Sequence, residues 1–233
     1  MNGGAIALLL IAVAAFSGCA DDSSSVALVP SSMTGIVDEV DDALDTRTDW
    51  VIAGSARLVA QLADGAAADL LITADAETMD DAVSRGLVDG PPVVFAGNRL
   101  VVAVAPGNPA NVEELSDLTV DDLLVGVCAH EVPCGRLAVD AQAALGLELS
   151  VDTEEPNVRS LANKIVSGEL DAGLIYATDA TDLSLDTVAD DELAPFVTAY
   201  VAAAIGGESS DIIDFLLSPS GQALLASRGF SAP

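Results

Sequence analysis

Residues 127–136 of the chain read Val127-Cys128-Ala129-His130-Glu131-Val132-Pro133-Cys134-Gly135-Arg136. This loop holds two of the three cysteines and the only histidine of the chain. A buried-looking apolar run, Leu123 to Val127, precedes it, and an amphipathic pattern that ends at Gly146 follows it. The loop is therefore predicted to join the end of a strand to the start of a helix. In α/β proteins ligands bind at such junctions, because the first N–H groups of a helix are free to donate to an anion.

Composition limits the partners of the chain and the kind of anion site that it can build. The 233 residues, of which 51% are hydrophobic, suffice for one large domain or two small ones. The formal net charge is −29, with 37 acidic against 8 basic residues. Nucleic-acid binding is not expected, because it needs basic patches. Any anion site in so negative a protein must depend on short-range hydrogen-bond donors.

The N-terminal residues are typical of a bacterial secretion signal with a lipidation site. Ala5 to Phe16 is an apolar run too short to span a bilayer as a mature helix. It leads into Phe16-Ser17-Gly18-Cys19, which resembles the lipobox, where the chain is cut before a cysteine that then carries lipid. We therefore expect a signal peptide at 1–18, a lipid on Cys19 and a polar tether at 19–25. An ordinary cleaved signal with an incidental cysteine is the alternative.

The other two cysteines form an even pair in a compartment that should be oxidising. Cys128 is predicted at a strand end and Cys134 at a helix start, and the short loop between them includes Pro133. Such a loop can double back, and we predict a Cys128–Cys134 disulfide. Two alternatives stay open. In one, Cys134 is a nucleophile and His130 its base. In the other, a metal is bound by Cys128, His130, Glu131 and Cys134.

Hydroxyl residues stand between strand and helix twice in the first quarter of the chain. In each unit a short apolar strand pattern precedes them and an amphipathic helix pattern follows. The strands are Val26 to Pro30 and Trp50 to Ala53, and the hydroxyl residues are Ser31, Ser32 and Thr34 in the first unit and Ser55 in the second. Such residues favour helix N-caps, where a hydroxyl meets free N–H groups. A plain N-cap that serves only the helix remains the alternative.

The rest of the chain alternates strand and helix patterns, as an α/β fold requires. Asp75 and Asn157 are predicted helix N-caps, and no base or metal partner is evident for Asp69 or Asp75. Tyr176 ends a short buried strand, where its hydroxyl is a usable neutral donor. Further strands are predicted at Leu70 to Thr73, Phe95 to Ala105, Leu147 to Thr153, Ala172 to Tyr176 and Phe196 to Ile205, and a helix with turns at Val112 to Leu124.

Eight stretches of the chain, in this order and spacing, resemble one known family. They are Pro30-Ser31-Ser32-Met33-Thr34, Ala53-Gly54-Ser55-Ala56-Arg57-Leu58, Gly65 to Asp75, Phe95 to Val101, Val132-Pro133-Cys134-Gly135-Arg136, Asn157-Val158-Arg159, Gly173 to Ala180 and Gly229-Phe230. The family is that of the molybdate-binding proteins of ABC transporters, within the type II periplasmic binding superfamily. The resemblance extends over about residues 26–233.

The resemblance implies an α/β fold of two lobes, each a mostly parallel sheet flanked by helices, joined by two crossing hinge strands. Residues 26–104 and 198–233 would form the first lobe, and residues 105–197 the second. The family captures a tetrahedral dianion, molybdate or tungstate, and delivers it to a membrane permease. We expect a monomer without enzymatic activity or cofactor, extracytoplasmic and held to the cell membrane only through the lipid anchor. A binding protein for another small oxyanion or solute is the alternative.

The resemblance also implies which residues hold the anion. The family's contacts are neutral hydroxyl and backbone N–H groups, with no direct ligand to the metal atom. By motif, these contacts fall on the hydroxyls of Ser32, Ser55 and Tyr176 and on the backbone N–H groups of Cys134 and Val158. Cys134 stands where the family commonly has alanine. Because that contact is made by backbone, the cysteine need not disturb it.

Overall fold

The computed structural model describes residues 25–206 and 211–233. The predicted signal peptide and Cys19 lie outside these residues. The strands are β1 (Ser25–Pro30), β2 (Thr48–Ala53), β3 (Leu70–Thr73), β4 (Val93–Val104), β5 (Val125–Cys128), β6 (Thr153–Glu155), β7 (Ala172–Tyr176), β8 (Asp186–Val188) and β9 (Val197–Ala204). The α-helices are α1 (Val37–Leu44), α2 (Ser55–Ala63), α3 (Ala76–Ser84), α4 (Pro133–Leu145), α5 (Val158–Ser167), α6 (Ala177–Asp182), α7 (Asp211–Leu217) and α8 (Pro219–Ser227). Short 3₁₀ helices lie at Ser31–Met33, Leu115–Thr119 and Asp191–Leu193.

The strands form one mixed sheet in the order β2-β1-β3-β9-β4-β7-β5-β6, with β8 paired to β4. Toward one end β1 pairs in parallel with β2 and β3, and toward the other β5 pairs in parallel with β6 and β7. Between them β9 runs antiparallel to both β3 and β4. The first part of β4 pairs with β9, and its last part, Leu100 to Val104, pairs with β7. The long strands β4 and β9 therefore link two parallel arrangements, which confirms the predicted α/β class.

Aliphatic side chains fill the interior on both faces of the sheet, because only 3% of the chain is aromatic. The larger buried cluster includes Ile36, just before α1, and Ile165 of α5, and it runs from Ala27 of β1 to Phe230 near the end of the chain. A smaller cluster, with Leu58 of α2 and Met79 of α3, covers the opposite face of β1 and β3, since successive strand residues point to opposite faces. Within the two described ranges, no helix has both the length and the apolar composition to cross a bilayer.

Four aromatic rings meet where the two parallel arrangements join. The ring of Tyr200, on β9, has the edge-on contacts typical of aromatic pairs. Its ring centroid lies 6.2 Å from that of Phe95, 6.3 Å from that of Tyr176 and 5.1 Å from that of Phe230. Tyr200 is completely buried by this packing, so its ring and its hydroxyl are held in one position below the strand ends.

The predicted N-caps, Asp75 at the start of α3 and Asn157 at the start of α5, are confirmed. The Asp75 side chain accepts a hydrogen bond from Thr78 N–H at 2.9 Å, and the Asn157 side chain accepts one from Ser160 N–H at 2.9 Å. Helix α4 ends, as predicted, at Gly146, whose φ of 66° lies in the left-handed region that favours glycine. These caps define where α3, α4 and α5 begin or end relative to the strands.

The hydroxyls that follow β1 do not cap α1, contrary to expectation. The residues after β1 form a 3₁₀ turn, and α1 begins only at Val37. Its N-cap residue, Ile36, makes no side-chain cap. The Thr34 hydroxyl instead donates to the Ser31 carbonyl at 2.6 Å. The side chain of Ser32 therefore has no capping role, and its hydroxyl accepts a hydrogen bond from the Tyr200 hydroxyl instead.

Two further local predictions are wrong. The strand expected at Leu147 to Thr153 is β6, which starts only at the last of these residues. The helix with turns expected at Val112 to Leu124 is a single 3₁₀ helix. The N–H groups of Leu149 and Ser150 donate to the Gln142 side chain at 3.1 Å and to the Leu118 carbonyl at 2.8 Å rather than to a neighbouring strand. Pairing of this segment with β5 therefore begins only at Thr153.

Candidate functional site

All five residues assigned to the anion line one small cavity. Its walls form where β1, β2 and β7 end and where α2, α4 and α5 begin. Through β9 and β4 the strand β7 runs antiparallel to β1 and β2. The carboxyl ends of the two parallel arrangements therefore face each other across the cavity. The space open to the centre of a water molecule is only about 10 Å³. The lining residues are Pro30, Ser31, Ser32, Gly54, Ser55, Ala74, Val132, Pro133, Cys134, Asn157, Val158 and Tyr176.

The starts of three helices bring backbone N–H groups to the cavity. Ser55 and Val158 are the first residues of α2 and α5, and Cys134 is the second residue of α4. First-turn N–H groups have no acceptor within the helix, and they carry partial positive charge that attracts anions. The Gly135 N–H is already taken, since it donates to the Val132 carbonyl at 3.0 Å. The Cys134 N–H is thus the donor that α4 offers, because the proline before it has no N–H.

The hydroxyls of Ser32 and Ser55 both accept a hydrogen bond from the protein itself. Ser55 Oγ accepts from the Ala74 N–H at 3.1 Å, and Ser32 Oγ accepts from the Tyr200 hydroxyl at 2.5 Å. A hydroxyl has one proton and two lone pairs. An oxygen that already accepts therefore keeps its own proton for another partner. Both serines are buried, so a ligand in the cavity is the partner within reach.

The Tyr176 hydroxyl is a buried donor without a partner. The side chain is 1% exposed, and no atom of the described residues hydrogen-bonds to its hydroxyl. Burial raises the pKa of this phenol well above its usual value, and Tyr200 and Asp75 add to the rise. The hydroxyl therefore stays protonated at neutral pH. An unsatisfied buried hydroxyl costs about 1–3 kcal/mol, which points to a ligand on this wall of the cavity.

Among the described residues, none with a charged side chain lines the cavity. Two arginines follow its N–H donors closely in sequence, and both are paired. Arg136 donates to the Asp75 carboxylate at 2.5 and 3.0 Å and to the Thr78 hydroxyl at 2.6 Å, and Arg159 pairs with Asp182. Arg136 also corrects the expectation that Asp75 lacks a basic partner, since the two lie 61 positions apart in sequence. The cavity thus offers donors without net charge.

The predicted disulfide is confirmed. Cys128 at the end of β5 and Cys134 in the first turn of α4 are bonded, with their Cα atoms 5.7 Å apart. Neither sulfur is then a free thiol nucleophile or a thiolate ligand. Both the thiol-enzyme and the metal alternatives require such a free sulfur. The His130 side chain is 79% exposed and lies 3.1 Å from the Glu131 carboxylate. Residues 25–206 and 211–233 hold no group of three metal-binding side chains.

Comparison with known proteins assigns this fold to a family. The family of bacterial extracellular solute-binding proteins matches residues 28–231. The molybdate-binding protein ModA of Mycobacterium tuberculosis is 34% identical over 191 residues, which are 79% of this chain and 73% of that protein. This chain belongs to that family of extracellular solute-binding proteins. The resemblance stated from the sequence is thereby confirmed.

Solved structures show that this solute-binding protein has the predicted fold. The periplasmic molybdate-binding protein of Azotobacter vinelandii superposes with a TM-score of 0.76 at 14% identity, over 90% of this chain and 100% of that one. The sulfate-binding protein SubI of M. tuberculosis superposes with a TM-score of 0.73 at 17% identity, over 90% and 87%. The two-lobed type II fold is confirmed. Because the two neighbours are named for different anions, the fold by itself does not choose the anion.

This solute-binding protein also buries a carboxylic acid that the sequence analysis did not single out. Asp179, in the first turn of α6, is 1% exposed, and neither of its side-chain oxygens has a partner in the described part of the chain. Burial raises the pKa of Asp179 to about 7, while Arg159 lowers it and Asp182 raises it further. Acids in a first helical turn are usually solvated and favour the helix start. Nothing in the sequence therefore signalled burial.

Two more residues behind the cavity escaped the sequence analysis. Asn98 and Tyr200 lie 102 positions apart in sequence, and their side chains are hydrogen-bonded at 3.2 Å. Asn98 lies within one of the family-like stretches, but nothing in the sequence pattern around it indicates a role for its side chain. The available signal was weak, consisting of single polar groups inside the otherwise apolar strand patterns of β4 and β9. Their partnership becomes visible only when these strands pair.

Proposed function

We propose that this solute-binding protein captures molybdate or tungstate outside the cytoplasm and delivers it to the permease of an ABC transporter. The anion would lie between the hydroxyls of Ser32, Ser55 and Tyr176 and the N–H groups of Cys134 and Val158. The observation that carries the proposal is the buried, unpartnered Tyr176 hydroxyl in a cavity of convergent neutral donors. A tetrahedral oxyanion has acceptor oxygens in every direction and satisfies such donors. The name of the M. tuberculosis relative supports molybdate.

We further propose that residues 26–104 with 198–233, and residues 105–197, are lobes that move against each other. A cavity of about 10 Å³ has room for about one water molecule, and an oxyanion is larger, so the cleft must open to admit it. The ion pair of Arg136 with Asp75 joins residues of the two lobes and would favour the closed state. Closure removes the anion from water and presents a new surface to the permease. The protein acts as a monomer and performs no chemistry on the anion.

The titration that tests the proposed function uses the purified mature protein and four anions. Calorimetry with molybdate and tungstate should show tight binding of one anion per chain, and sulfate and phosphate should bind poorly. The physical reason is size, because fixed donors set for a larger anion remain partly unpaired around a smaller one. Sulfate binding as tight as molybdate binding would favour the second candidate, a binding protein for another oxyanion, which the fold shared with a sulfate-binding protein supports.

Removal of single hydroxyls tests the proposed contacts. Tyr176→Phe and Ser55→Ala should each cost roughly 1.5–3 kcal/mol of binding free energy, because a buried anion oxygen loses its donor. The molybdate affinity should fall by about 10- to 100-fold in calorimetry. Ser218→Ala is the matched control, since its hydroxyl accepts only from the Gly221 N–H at the start of α8. It should lower stability by about 1 kcal/mol and leave the affinity unchanged. Full affinity in both site variants would mean that the contacts are misplaced.

We propose in addition that Cys19 carries the lipid that anchors the protein to the cell membrane. The supporting observation is the apolar run that ends at Phe16-Ser17-Gly18-Cys19. Cys19→Ser should move the protein from the membrane fraction to the soluble fraction, which immunoblots of fractionated cells would show. A wild-type protein that is already soluble, with its mature N-terminus beyond Cys19, would contradict the anchor.

A further inference from the structure

Two larger cavities border the small anion cavity. The first, which we call the outer cleft, has a volume of about 620 Å³ and shares Gly54, Val132 and Asn157 with the anion cavity. The second, the rear pocket, has a volume of about 320 Å³, and of the described residues only Ser32 lines both it and the anion cavity. The outer cleft is open to water, since the Glu131 side chain on its wall is 64% exposed. It is therefore the wider approach to the anion cavity.

A cation without a partner distinguishes the outer cleft from the rear pocket. Arg57 lines the outer cleft, and its guanidinium forms no ion pair in the described part of the chain. The arginine of the rear pocket, Arg228, is already paired with Glu39, and the Asp182 carboxylate lines that pocket as well. An anion in the rear pocket would compete with a carboxylate for its arginine, whereas Arg57 is free to attract one.

Helix stability does not account for the position of Arg57. It is the third residue of α2, whose first turn contains no acidic residue. The start of a helix carries partial positive charge, so a cation there is destabilising. The same turn supplies Ser55 to the wall of the anion cavity. An arginine that is unfavourable for its own helix thus lies where the outer cleft leads to the proposed anion site.

The carboxylates of the outer cleft lie on its opposite wall. Arg57 belongs to residues 26–104, whereas Glu131 and Glu154 belong to residues 105–197. If these parts are lobes that move apart, both carboxylates move away from Arg57 when the cleft opens. On closure they approach it again and repel an anion that remains in the outer cleft. The positive charge of Arg57 is therefore most effective while the cleft is open.

We propose that Arg57 forms an outer capture site, which attracts the oxyanion to the first lobe of the open protein before closure encloses it in the anion cavity. This inference rests on the proposed function. The net charge of −29 repels an anion at a distance, and a positive charge at the mouth of the cleft opposes that repulsion locally. Charges at the rim of a site act mainly on the association rate. Arg57 thus controls how fast the anion arrives, and the neutral donors control how slowly it leaves.

Stopped-flow fluorescence of molybdate binding tests this capture site. At an ionic strength of about 0.01 M, where the Debye length is about 30 Å, the association rate constant of Arg57→Gln should be about five- to tenfold below that of the wild type. This factor corresponds to a unit charge roughly 7 Å from a dianion in water. At about 1 M salt, where the Debye length is about 3 Å, the difference should vanish. The dissociation rate constant should change by less than about twofold, because the enclosed anion does not contact Arg57.

Two further variants separate the local charge from the net charge and from the shape of the side chain. Arg47→Gln changes the net charge equally. Arg47 is also exposed and without an ion pair in the described part of the chain, but it lies just before β2 and does not line the outer cleft. Its association rate constant should stay close to that of the wild type. Arg57→Lys keeps the charge and should retain most of the wild-type rate.

Each outcome decides one of the two proposals. An association rate constant of Arg57→Gln equal to that of the wild type or of Arg47→Gln would overturn the capture site. A decrease that persists at about 1 M salt would also overturn it, since a screened charge could not be the cause. A wild type that prefers sulfate to molybdate would overturn the proposed ligand. The same variants measured with sulfate, which has the same charge, would then still decide the role of Arg57.

Discussion

Gly135→Ala is expected to abolish oxyanion binding and to destabilise the fold by about 3 kcal/mol. A Cβ at this position would lie 1.9 Å from the carbonyl oxygen of Ala129 and 2.7 Å from that of Cys128. Neither neighbour can retreat. The Ala129 N–H is bonded to the Glu155 carbonyl at 2.9 Å, and Cys128 is tied to Cys134 by the disulfide. The start of α4 must therefore move, and the Cys134 N–H moves out of the cavity with it.

The measurement for this variant is molybdate calorimetry together with urea unfolding. Gly146→Ala, at the other end of the same helix, is the matched control. A Cβ there meets nothing within 4 Å, but the φ of 66° is unfavourable for alanine, and it should cost about 1–2 kcal/mol of stability. The control should bind molybdate normally. If Gly135→Ala also bound normally, the start of α4 would not belong to the site.

Asp179→Asn is expected to make the protein more stable at neutral pH, by an amount that grows with pH. In the unfolded chain this carboxyl has its ordinary pKa of 3.8, and in the folded protein burial raises that pKa to about 7. Between these values the unfolded state releases a proton that the folded state keeps, so the wild type loses stability as pH rises. The loss is about 1.4 kcal/mol per unit and on the order of 4 kcal/mol in total. Above about pH 7 the folded carboxyl is also ionised, and the loss stays constant.

The difference in unfolding free energy between Asp179→Asn and the wild type should therefore widen from about pH 4 to about pH 7 and then level off. Urea unfolding at a series of pH values measures it. Asp214→Asn, which removes an exposed carboxylate from α7, controls for the loss of one negative charge. A constant difference across this range would show that Asp179 is ionised in the folded protein at all these pH values.

The same carboxyl should make anion binding depend on pH. Asp179 interacts electrostatically with Tyr176 on the cavity wall, and an ionised carboxylate there repels a bound dianion. The molybdate affinity of the wild type should therefore fall as pH rises through about 7, whereas that of Asp179→Asn should stay level. Equal pH profiles of the molybdate affinity in the two proteins would mean that Asp179 and the bound anion do not interact electrostatically.

Much of this protein could be predicted from short stretches of its sequence. Apolar periodicity and breaker residues predicted the alternation of strands and helices, including the long strands β4 and β9. Local chemistry predicted the caps at Asp75 and Asn157 and the pairing of Cys128 with Cys134, because each depends on groups a few positions apart. The net charge of −29 excluded nucleic acids without any structure. The resemblance to the family placed five residues that the fold then brought to one cavity.

Tertiary structure alone decided which groups are buried and which partners they meet. The expected strand at Leu147 to Thr153 is reduced to β6, because the N–H groups of Leu149 and Ser150 donate to Gln142 and Leu118 rather than to a neighbouring strand. In the folded chain Arg136 pairs with the Asp75 carboxylate, and the Asp179 carboxyl is buried away from water. The Tyr200 hydroxyl donates to Ser32, which lies 168 positions away in sequence. Sequence patterns report periodicity within one segment, whereas a pKa or the direction of a hydrogen bond depends on the segments that pack around a group. The donors were therefore visible in the sequence, but their fixed orientation arises only from the folded chain.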